Sequence, residues 1–246
     1  PRGLLPGPRA RGPKNAARPA PHPRNEPPRE GRSGSPSEEP PLPELRGVEG
    51  VALRGPRVVV QHVQDDHVVV FDKPSGLLSV PGIGPEKADC LVSRAQTALP
   101  DARIVHRLDR DTSGVILLAR DADTHRELSR QFHDREIEKT YVAMVAGHVL
   151  GEDGVVDAAL RKDMDNPPRH LVDPIQGKSA TTKWAVRGRA SKPDRTLLRF
   201  EPHTGRTHQL RIHACVLGHP IIGDDLYAPR DIVSMGDRLM LHASEL

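Results

Sequence analysis

The alternation of apolar and polar residues predicts a fold rich in strands. Two short β-branched runs, RVVVQHV and HVVVFDK, are separated by Gln64-Asp65-Asp66 and indicate a hairpin that begins near Arg57. Further strands are predicted at VILLAR, EKTYVAMVAGHV, SATTKWAVRGRA and RTLLRFEP, the last two forming a hairpin pair. Residues 151–179 are predicted to be mostly loop with one short strand.

Helical spacing of apolar residues occurs in three segments between these strands: KADCLVSRAQTAL, DADTHRELSRQFHDRE and GRTHQLRIHACVLG. The second segment has an acidic first turn, which suits the helix dipole. The third is predicted to begin through Thr204-Gly205 and to end at Gly218, just before Pro220. Single helices between strands favour an α+β fold around a mixed, largely antiparallel sheet.

The first 56 residues differ in composition from the rest of the chain. They carry 14 of the 25 prolines and, with ten Lys/Arg and six Asp/Glu, a net charge of +4. Such a segment buries too little apolar surface to offset its chain entropy, so we predict a disordered extension over 1–56 and one folded domain over 57–246. The extension is either a dispensable tail or a basic arm that adds non-specific nucleic-acid affinity.

The charge and the cysteines restrict the class of protein. The chain has a net charge of +3, so the part after the extension carries −1, and any affinity for a polyanion must come from locally clustered arginines. Cys90 and Cys215 form neither a disulfide framework nor a CxxC metal pair, which favours a reduced, cytoplasmic setting. No apolar run approaches the roughly 20 residues of a membrane helix, and we expect no signal peptide because the N-terminal residues lack the apolar core of one. Because the chain begins with Pro1, we expect a fragment or a processed product.

One aspartate stands out in the stretch IVHRLDRDTSGVILLAR, residues 104–120. Asp109 lies between Arg107 and Arg110, where a strand is predicted to end in a tight turn at an exposed rim. Basic neighbours favour the charged form of a carboxylate. Asp111 directly precedes Thr-Ser-Gly and is the better candidate to cap the turn, which leaves Asp109 for chemistry. A carboxylate in this setting suits a nucleophile presented to a polyanionic substrate, and we expect RNA.

A second chemical segment is TGRTHQLRIH, residues 204–213. On a helix, Arg211 would lie one turn from the start and beside apolar residues. A partly buried arginine requires an anion, and we predict a bidentate pair with Asp109. A structural ion pair between other groups is the alternative. Tyr141 is predicted to be a core residue on burial grounds, and only its link to the other segments gives it a functional role.

Four histidines near the C-terminal helix do not form a metal motif. His203, His208, His213 and His219 are spaced by 5, 5 and 6 residues, whereas zinc sites on helices use pairs four apart. We therefore expect no metal and no cofactor, and histidines that contact phosphate or complete backbone hydrogen bonds.

Three motifs in order, HRLDRDTSG, EKTYVAMV and GRTHQLRIHACVLGHPIIGDDLY, resemble the RluA family of pseudouridine synthases. The resemblance covers about residues 57–246, and the loop KPSGLLSVPG narrows it to the branch associated with 23S rRNA and a tRNA anticodon loop. It implies a mixed-sheet catalytic fold with the active cleft across its middle. It also implies an isomerisation of uridine to pseudouridine in stem-loop RNA that needs no cofactor.

The resemblance assigns roles by motif. Asp109 matches the essential aspartate, Tyr141 the tyrosine that packs on the target base, and Arg211 the basic residue that pairs with the aspartate. The residues that would contact RNA or help to displace the nucleotide are Arg107, His106, Arg206 and His208. The aspartate would either attack the sugar or base covalently or abstract a sugar proton, and the sequence leaves both routes open.

Two departures from the family and two rival functions accompany this interpretation. Many relatives carry an N-terminal S4-like RNA-binding domain, whereas the N-terminal segment here has the composition expected of a disordered tail. Relatives also continue beyond LMLHASEL with another strand, so the C-terminal strand is expected to be truncated. One rival is a catalytically silent RNA-binding or ribosome-assembly protein on the same scaffold. The other is a glycoside hydrolase, which usually needs two catalytic carboxylates. We expect a monomer.

Overall fold

The computed structural model describes the backbone of residues 60–246 and the side chains from residue 65 onward. The predicted disordered extension, residues 1–56, and the predicted start of the first strand at Arg57 lie outside the described residues. In the part that is described, no helix combines the length and the apolar character needed to cross a membrane.

Strands and helices follow one another much as the sequence pattern predicts. The strands are β1 (Val60–Gln64), β2 (Val68–Lys73), β3 (Arg103–Ile104), β4 (Ser113–Ala119), β5 (Thr140–Ala146), β6 (Asp153–Asp157), β7 (Leu160–Lys162), β8 (His170–Val172), β9 (Thr181–Ala190), β10 (Arg195–Pro202) and β11 (Leu241–Glu245). The helices are a 3-10 turn (Pro85–Lys87), α1 (Leu91–Ala98), α2 (Ala122–Asp134), α3 (Gln209–Val216) and α4 (Arg230–Val233).

The described strands build a nine-stranded sheet in the order β1-β2-β4-β11-β5-β10-β9-β6, with β3 paired to β4, and a separate β7–β8 pair. Neighbours in the large sheet are antiparallel except β4 and β11, which run parallel. This confirms the predicted α+β fold around a mixed, largely antiparallel sheet. Because β11 lies between β4 and β5, the loop that carries Asp109 and the strand that carries Tyr141 meet near the middle of the sheet.

Gly114 makes the close approach of β4 and β11 possible. Its φ is +115°, and a Cβ built on it would lie 2.1 Å from the carbonyl oxygen of Ala243. Only glycine fits such a backbone conformation and such a contact. The loop before β4 is thereby held against the centre of the sheet.

The core has two main clusters, and Tyr141 packs against both. One cluster gathers Phe71, Leu91, Ile116 and Leu118, and the other gathers Val145, Leu198, Phe200 and Ile221. Burying side chains of this size stabilises the fold by roughly 1.5–3 kcal/mol each. A tyrosine at the junction of two packed clusters is held rigidly, which suits a residue that must present a ring to a ligand.

Two predictions about secondary structure were wrong. Residues 151–179 contain the three strands β6, β7 and β8 rather than one short strand. Strand β6 pairs with β9, and β7 pairs with β8, and local patterning does not reveal these hydrogen bonds. Helix α3 begins at Gln209 and not at Thr204-Gly205. The Gln209 side chain accepts from the Arg206 N–H at 3.0 Å, so residues 204–208 form a turn before the helix.

Candidate active site

A cleft of about 770 Å³ lies beside the middle of the sheet, and most of the predicted site residues line it. Its walls come from the loop before β4, the start of β5, the end of α2 and the turn before α3. The predicted residues that line the cleft are His106, Arg107, Asp109, Tyr141, Arg206 and Arg211. His208 is not among the lining residues and contacts Tyr227 instead.

The backbone on both sides of Asp109 is fixed by the loop that follows β2. The Ser79 hydroxyl donates to the Leu108 carbonyl at 2.8 Å and accepts from the Leu108 N–H at 3.1 Å. The buried Lys73 ammonium donates to the Arg110 carbonyl at 2.9 Å. These bonds hold the main chain on both sides of Asp109 in place and do not involve its carboxylate.

Sequence reasoning missed this support. The available signal was a lysine at the end of an apolar strand, next to Pro74-Ser75-Gly76, because a buried ammonium requires acceptors. The Ser75 hydroxyl adds a further contact, donating to the Asp111 carbonyl at 2.7 Å. The motif KPSGLLS thus holds the loop that carries Asp109, which the residues alone did not show.

The role predicted for Asp111 was wrong. Its carboxylate accepts from the Arg110 guanidinium, with Nη2 3.0 Å from Oδ2, and does not cap the Thr112-Ser113-Gly114 turn. An adjacent guanidinium is a stronger partner for a carboxylate than a backbone N–H. Asp111 therefore neutralises one of the two arginines that flank Asp109.

The Asp109 carboxylate is half-buried, and among residues 65–246 it has neither a hydrogen bond nor an ion pair within 4.0 Å. It nevertheless lies close enough to Tyr141 and Arg211 to act on both. Burial, and secondarily the charge of Asp109, raises the pKa of the Tyr141 phenol, so the phenol stays protonated at neutral pH. A carboxylate that lines the cleft and has no partner among the described residues is placed to contact a ligand.

Arg211 does not form the predicted bidentate pair with Asp109. Its guanidinium is 2% exposed and forks onto Asp224, with Nε 2.9 Å from Oδ2, while Nη2 also lies 3.2 Å from Asp225 Oδ1. Burial lowers the pKa of Arg211, but hydrogen bonding to Asp224 and the charges of Asp224, Asp109 and Asp225 together raise it. Arg211 acts on Asp109 through its field and not through a direct bond.

Asp224 is well placed to bind this arginine because backbone N–H groups also hold its carboxylate. It is fully buried and accepts from the N–H groups of Leu226 and Tyr227 at 3.0 and 3.1 Å. The preceding Gly223 has φ +76°, and a Cβ there would lie 1.8 Å from the Arg238 carbonyl oxygen, so the sharp turn requires glycine. The consecutive Gly-Asp-Asp after an apolar pair was the signal for this acid, and it was not used.

Tyr227 connects Arg211 to His208. The guanidinium carbon of Arg211 lies 5.2 Å from the centre of the Tyr227 ring, within the range of a cation–π contact. The Tyr227 hydroxyl accepts from the His170 N–H at 2.9 Å and lies 2.7 Å from His208 Nδ1. Burial lowers the pKa of His208, which favours the neutral form of its ring.

His106 forms a wall of the cleft. Its ring stacks on Phe132 with 4.5 Å between centroids, and its Nε2 accepts from the Leu117 N–H at 3.0 Å. Burial, and then the charge of Lys139, lowers the pKa of His106 to about 4. The imidazole is therefore neutral at physiological pH and its Nε2 is occupied, so the contact it offers a ligand is its ring surface.

Arg107 and Arg206 differ in how far they are tied down. Arg107 is exposed at the cleft and has no hydrogen bond or ion pair in the part of the chain described from residue 65. Arg206 is half-buried, and its Nε donates to the Ser179 carbonyl at 3.1 Å. Arg107 is thus the freer of the two guanidinium groups.

Histidines of the C-terminal region are used in hydrogen bonds of the fold. His213 Nδ1 lies 2.9 Å from the Thr182 hydroxyl, and His219 Nδ1 lies 2.8 Å from the Ala146 carbonyl. Over the residues whose side chains are described, no three His, Cys, Asp or Glu side chains are grouped to hold a metal ion.

Comparison with known proteins agrees with this architecture. Residues 67–215 match the model of the RNA pseudouridylate synthase family, and the chain belongs to that family. A human structure, RNA Pseudouridylate Synthase Domain Containing 1, has 26% identity and a TM-score of 0.64, covering 74% of this chain and 75% of that one. The chain is accordingly an RNA pseudouridine synthase, an isomerase that acts on RNA.

Two curated relatives narrow the comparison. The dual-specificity RNA pseudouridine synthase RluA of Yersinia pestis is 47% identical over 183 residues, which cover 74% of this chain and 88% of the relative. The protein of the same name from Escherichia coli K12 is 48% identical over 184 residues, covering 74% and 83%. The resemblance to the RluA family is confirmed.

Proposed function

We propose that this enzyme isomerises a uridine in stem-loop RNA with Asp109 as the nucleophile, and that its targets are 23S rRNA and a tRNA anticodon loop. The observation that supports the nucleophile is a carboxylate whose backbone is fixed on both sides while its oxygens have no partner among the described residues. The dual specificity named for relatives at 47 and 48% identity supports the two RNA classes.

The reaction requires one bond to break and one to form at the same sugar carbon. The N1–C1′ bond is cleaved, the uracil turns in place, C5 bonds to C1′, the proton at C5 leaves and N1 gains a proton. Asp109 either bonds covalently during this exchange or removes a sugar proton, and each route needs an unpartnered carboxylate. No water is added and no electrons are transferred overall.

Arg211 and Tyr141 support the carboxylate in different ways. Arg211, held by Asp224, places a fixed positive charge near Asp109 without occupying its oxygens. Tyr141 presents a protonated phenol and a ring to the uracil. Its raised pKa favours packing on the base over action as a proton acceptor, because the phenolate is costly in this site.

Residues at the rim of the cleft would help to turn the target nucleotide out of the RNA. Extruding a base costs a few kcal/mol, and less in a loop than in a stem. The exposed guanidinium of Arg107 is planar and can replace the stacking that the base loses. Arg206 and His208 would contact the RNA beside α3, and His106 would contribute its ring face.

We further propose that the enzyme acts as a monomer in the cytoplasm. Light scattering on the purified protein tests the mass. A species of about twice the chain mass would contradict a monomer.

Pseudouridine mapping of total RNA with and without the gene tests the substrates. We expect losses confined to one ribosomal and one tRNA position, both in loops. In vitro, the product RNA should keep its mass, because isomerisation changes no atoms. An abasic product would indicate a hydrolase, and binding without any modification would indicate the catalytically silent RNA-binding alternative.

A further inference from the structure

A group of cationic residues lines part of the cleft. His106 and Phe132 stack to form the wall there, and Arg107, Arg135 and Lys139 line the cleft around this stack. The charge of Lys139 acts on His106, and the charge of Arg135 acts on Lys139, so the groups are electrostatic neighbours. None of the three is needed to explain how Asp109 is held.

These cations have no anionic partner of their own in the described part of the chain. In that part of the chain, the side chains of Arg107, Arg135 and Lys139 have no hydrogen bond and no ion pair within 4.0 Å. A neighbour on α2 behaves differently, because Arg130 binds the carboxylates of Glu127, Asp134 and Glu136. These three carboxylates, two on α2 and one just after it, are thus bound by Arg130 and not by the cations that line the cleft.

The position of Lys139 is costly without an anion. The side chain is half-buried, and burial together with the charge of Arg135 lowers its pKa. Arg135 is the left-handed residue that ends α2, with φ 64°, where a cation complements the helix dipole. That explanation does not extend to Lys139, which lies beyond the helix and just before β5. A bound anion would offset both the burial and the repulsion.

We propose that Arg135 and Lys139 form a site for one backbone phosphate of the RNA, beside the nucleotide that enters the cleft. Lys139 and Tyr141 are two residues apart and both line the cleft, a separation of roughly 7 Å along an extended chain. The ammonium is therefore close to the ring that packs on the base, and the phosphate it binds is one that flanks the target. This inference rests on the proposed function for its ligand.

Neutral substitutions test the site through binding. Lys139→Gln and Arg135→Gln should each weaken a stem-loop substrate roughly tenfold, since a charge-assisted hydrogen bond is lost. The slope of log K against log salt should fall in magnitude by about one. The loss should appear in KM more than in kcat.

Arg126→Gln is the matched control, because it removes one charge from the same helix at an exposed residue that pairs with Asp123. It should bind RNA with the wild-type salt slope. If Lys139→Gln and Arg135→Gln bind RNA no more weakly than Arg126→Gln, or lose kcat alone, the phosphate site is overturned.

A second measurement does not depend on how the variants fold. A single methylphosphonate replaces each phosphate near the target uridine in turn, and binding to the wild-type protein is measured. One linkage should weaken binding roughly tenfold, and that linkage should cost little further in Lys139→Gln. Additive losses, or no sensitive linkage, would overturn the proposal. Failure of the proposed nucleophile would appear in turnover by Asp109→Asn and would leave these binding results unchanged.

Discussion

Asp109 and Asp224 are two aspartates near Arg211 that are held in opposite ways. Asp224 is fully buried, and its carboxylate accepts from Arg211 and from two backbone N–H groups. Asp109 is half-buried, and the bonds that fix it are made by the backbone of its neighbours. The difference indicates that Asp224 positions the arginine, while the oxygens of Asp109 remain available to the substrate.

The largest effect should come from Asp109→Asn. The amide keeps the shape and removes the nucleophile, so pseudouridine formation should fall by roughly 10⁴-fold or more. Because the carboxylate has no partner among the described residues, the free energy of unfolding should change by less than about 1 kcal/mol. Single-turnover assays and urea unfolding on the same sample measure both quantities. A strongly destabilised variant would contradict the view that the Asp109 carboxylate does not stabilise the fold.

Asp224→Asn should reduce the free energy of unfolding more than Asp109→Asn does. Removing one partner of a buried ion pair leaves Arg211 uncompensated, and the free energy of unfolding should fall by about 3 kcal/mol. Asp225→Asn is the control, because its side chain is 56% exposed and should cost less than about 1 kcal/mol. Equal losses in the two variants would remove the distinction between them.

Arg211→Lys tests the ion pair with Asp224 by changing the cation. Lysine keeps the charge but cannot fork onto Asp224, so the charge should shift relative to Asp109 and kcat should fall roughly 10- to 100-fold. Steady-state kinetics separate kcat from KM. Unchanged kcat would show that the fixed position of the arginine does not matter for the reaction.

His106 predicts a pH effect on stability. Its pKa is lowered from 6.5 to about 4, so the folded state binds fewer protons than the unfolded state between these values. The contribution is therefore present above pH 6.5 and is lost as the pH falls toward 4, by up to about 3 kcal/mol. His106→Gln, which can still accept from the Leu117 N–H, should flatten the stability profile in this window. An unchanged stability profile would show that the protonation that destabilises the fold in this window is not that of His106.

The smallest effect should come from deleting residues 1–56. Turnover of a short stem-loop should stay within about twofold, because every residue assigned to the site lies beyond them. A basic arm would instead reveal itself as weaker binding with a shallower salt dependence. A collapse of kcat would show that this segment has a part in the chemistry.

Local patterns were sufficient for most elements of the fold. The β1–β2 and β9–β10 hairpins and the helices α1 and α2 follow from apolar periodicity and turn residues. The strands β6 to β8 could not be predicted, because their hydrogen bonds depend on partners elsewhere in the chain. Patterning also cannot show that β11 inserts between β4 and β5, which is what brings Asp109 to Tyr141.

The site was predicted as a set of residues but not as a set of contacts. A buried arginine on α3 correctly implied an anion, yet the choice of Asp224 depends on the turn at Gly223, a tertiary arrangement. Lys73 and Ser79 escaped notice because they act on main-chain carbonyls around Asp109, and such bonds leave no pairing pattern in the sequence.

The most direct test of the account is a crystal structure with a stem-loop that carries 5-fluorouridine at the target, since fluorine at C5 cannot leave as a proton. The account predicts an Asp109 oxygen bonded to, or in contact with, the target ribose or base, while Arg211 stays forked on Asp224. A complex in which Arg211 turns onto Asp109, or in which the target nucleotide lies away from Asp109, would contradict it.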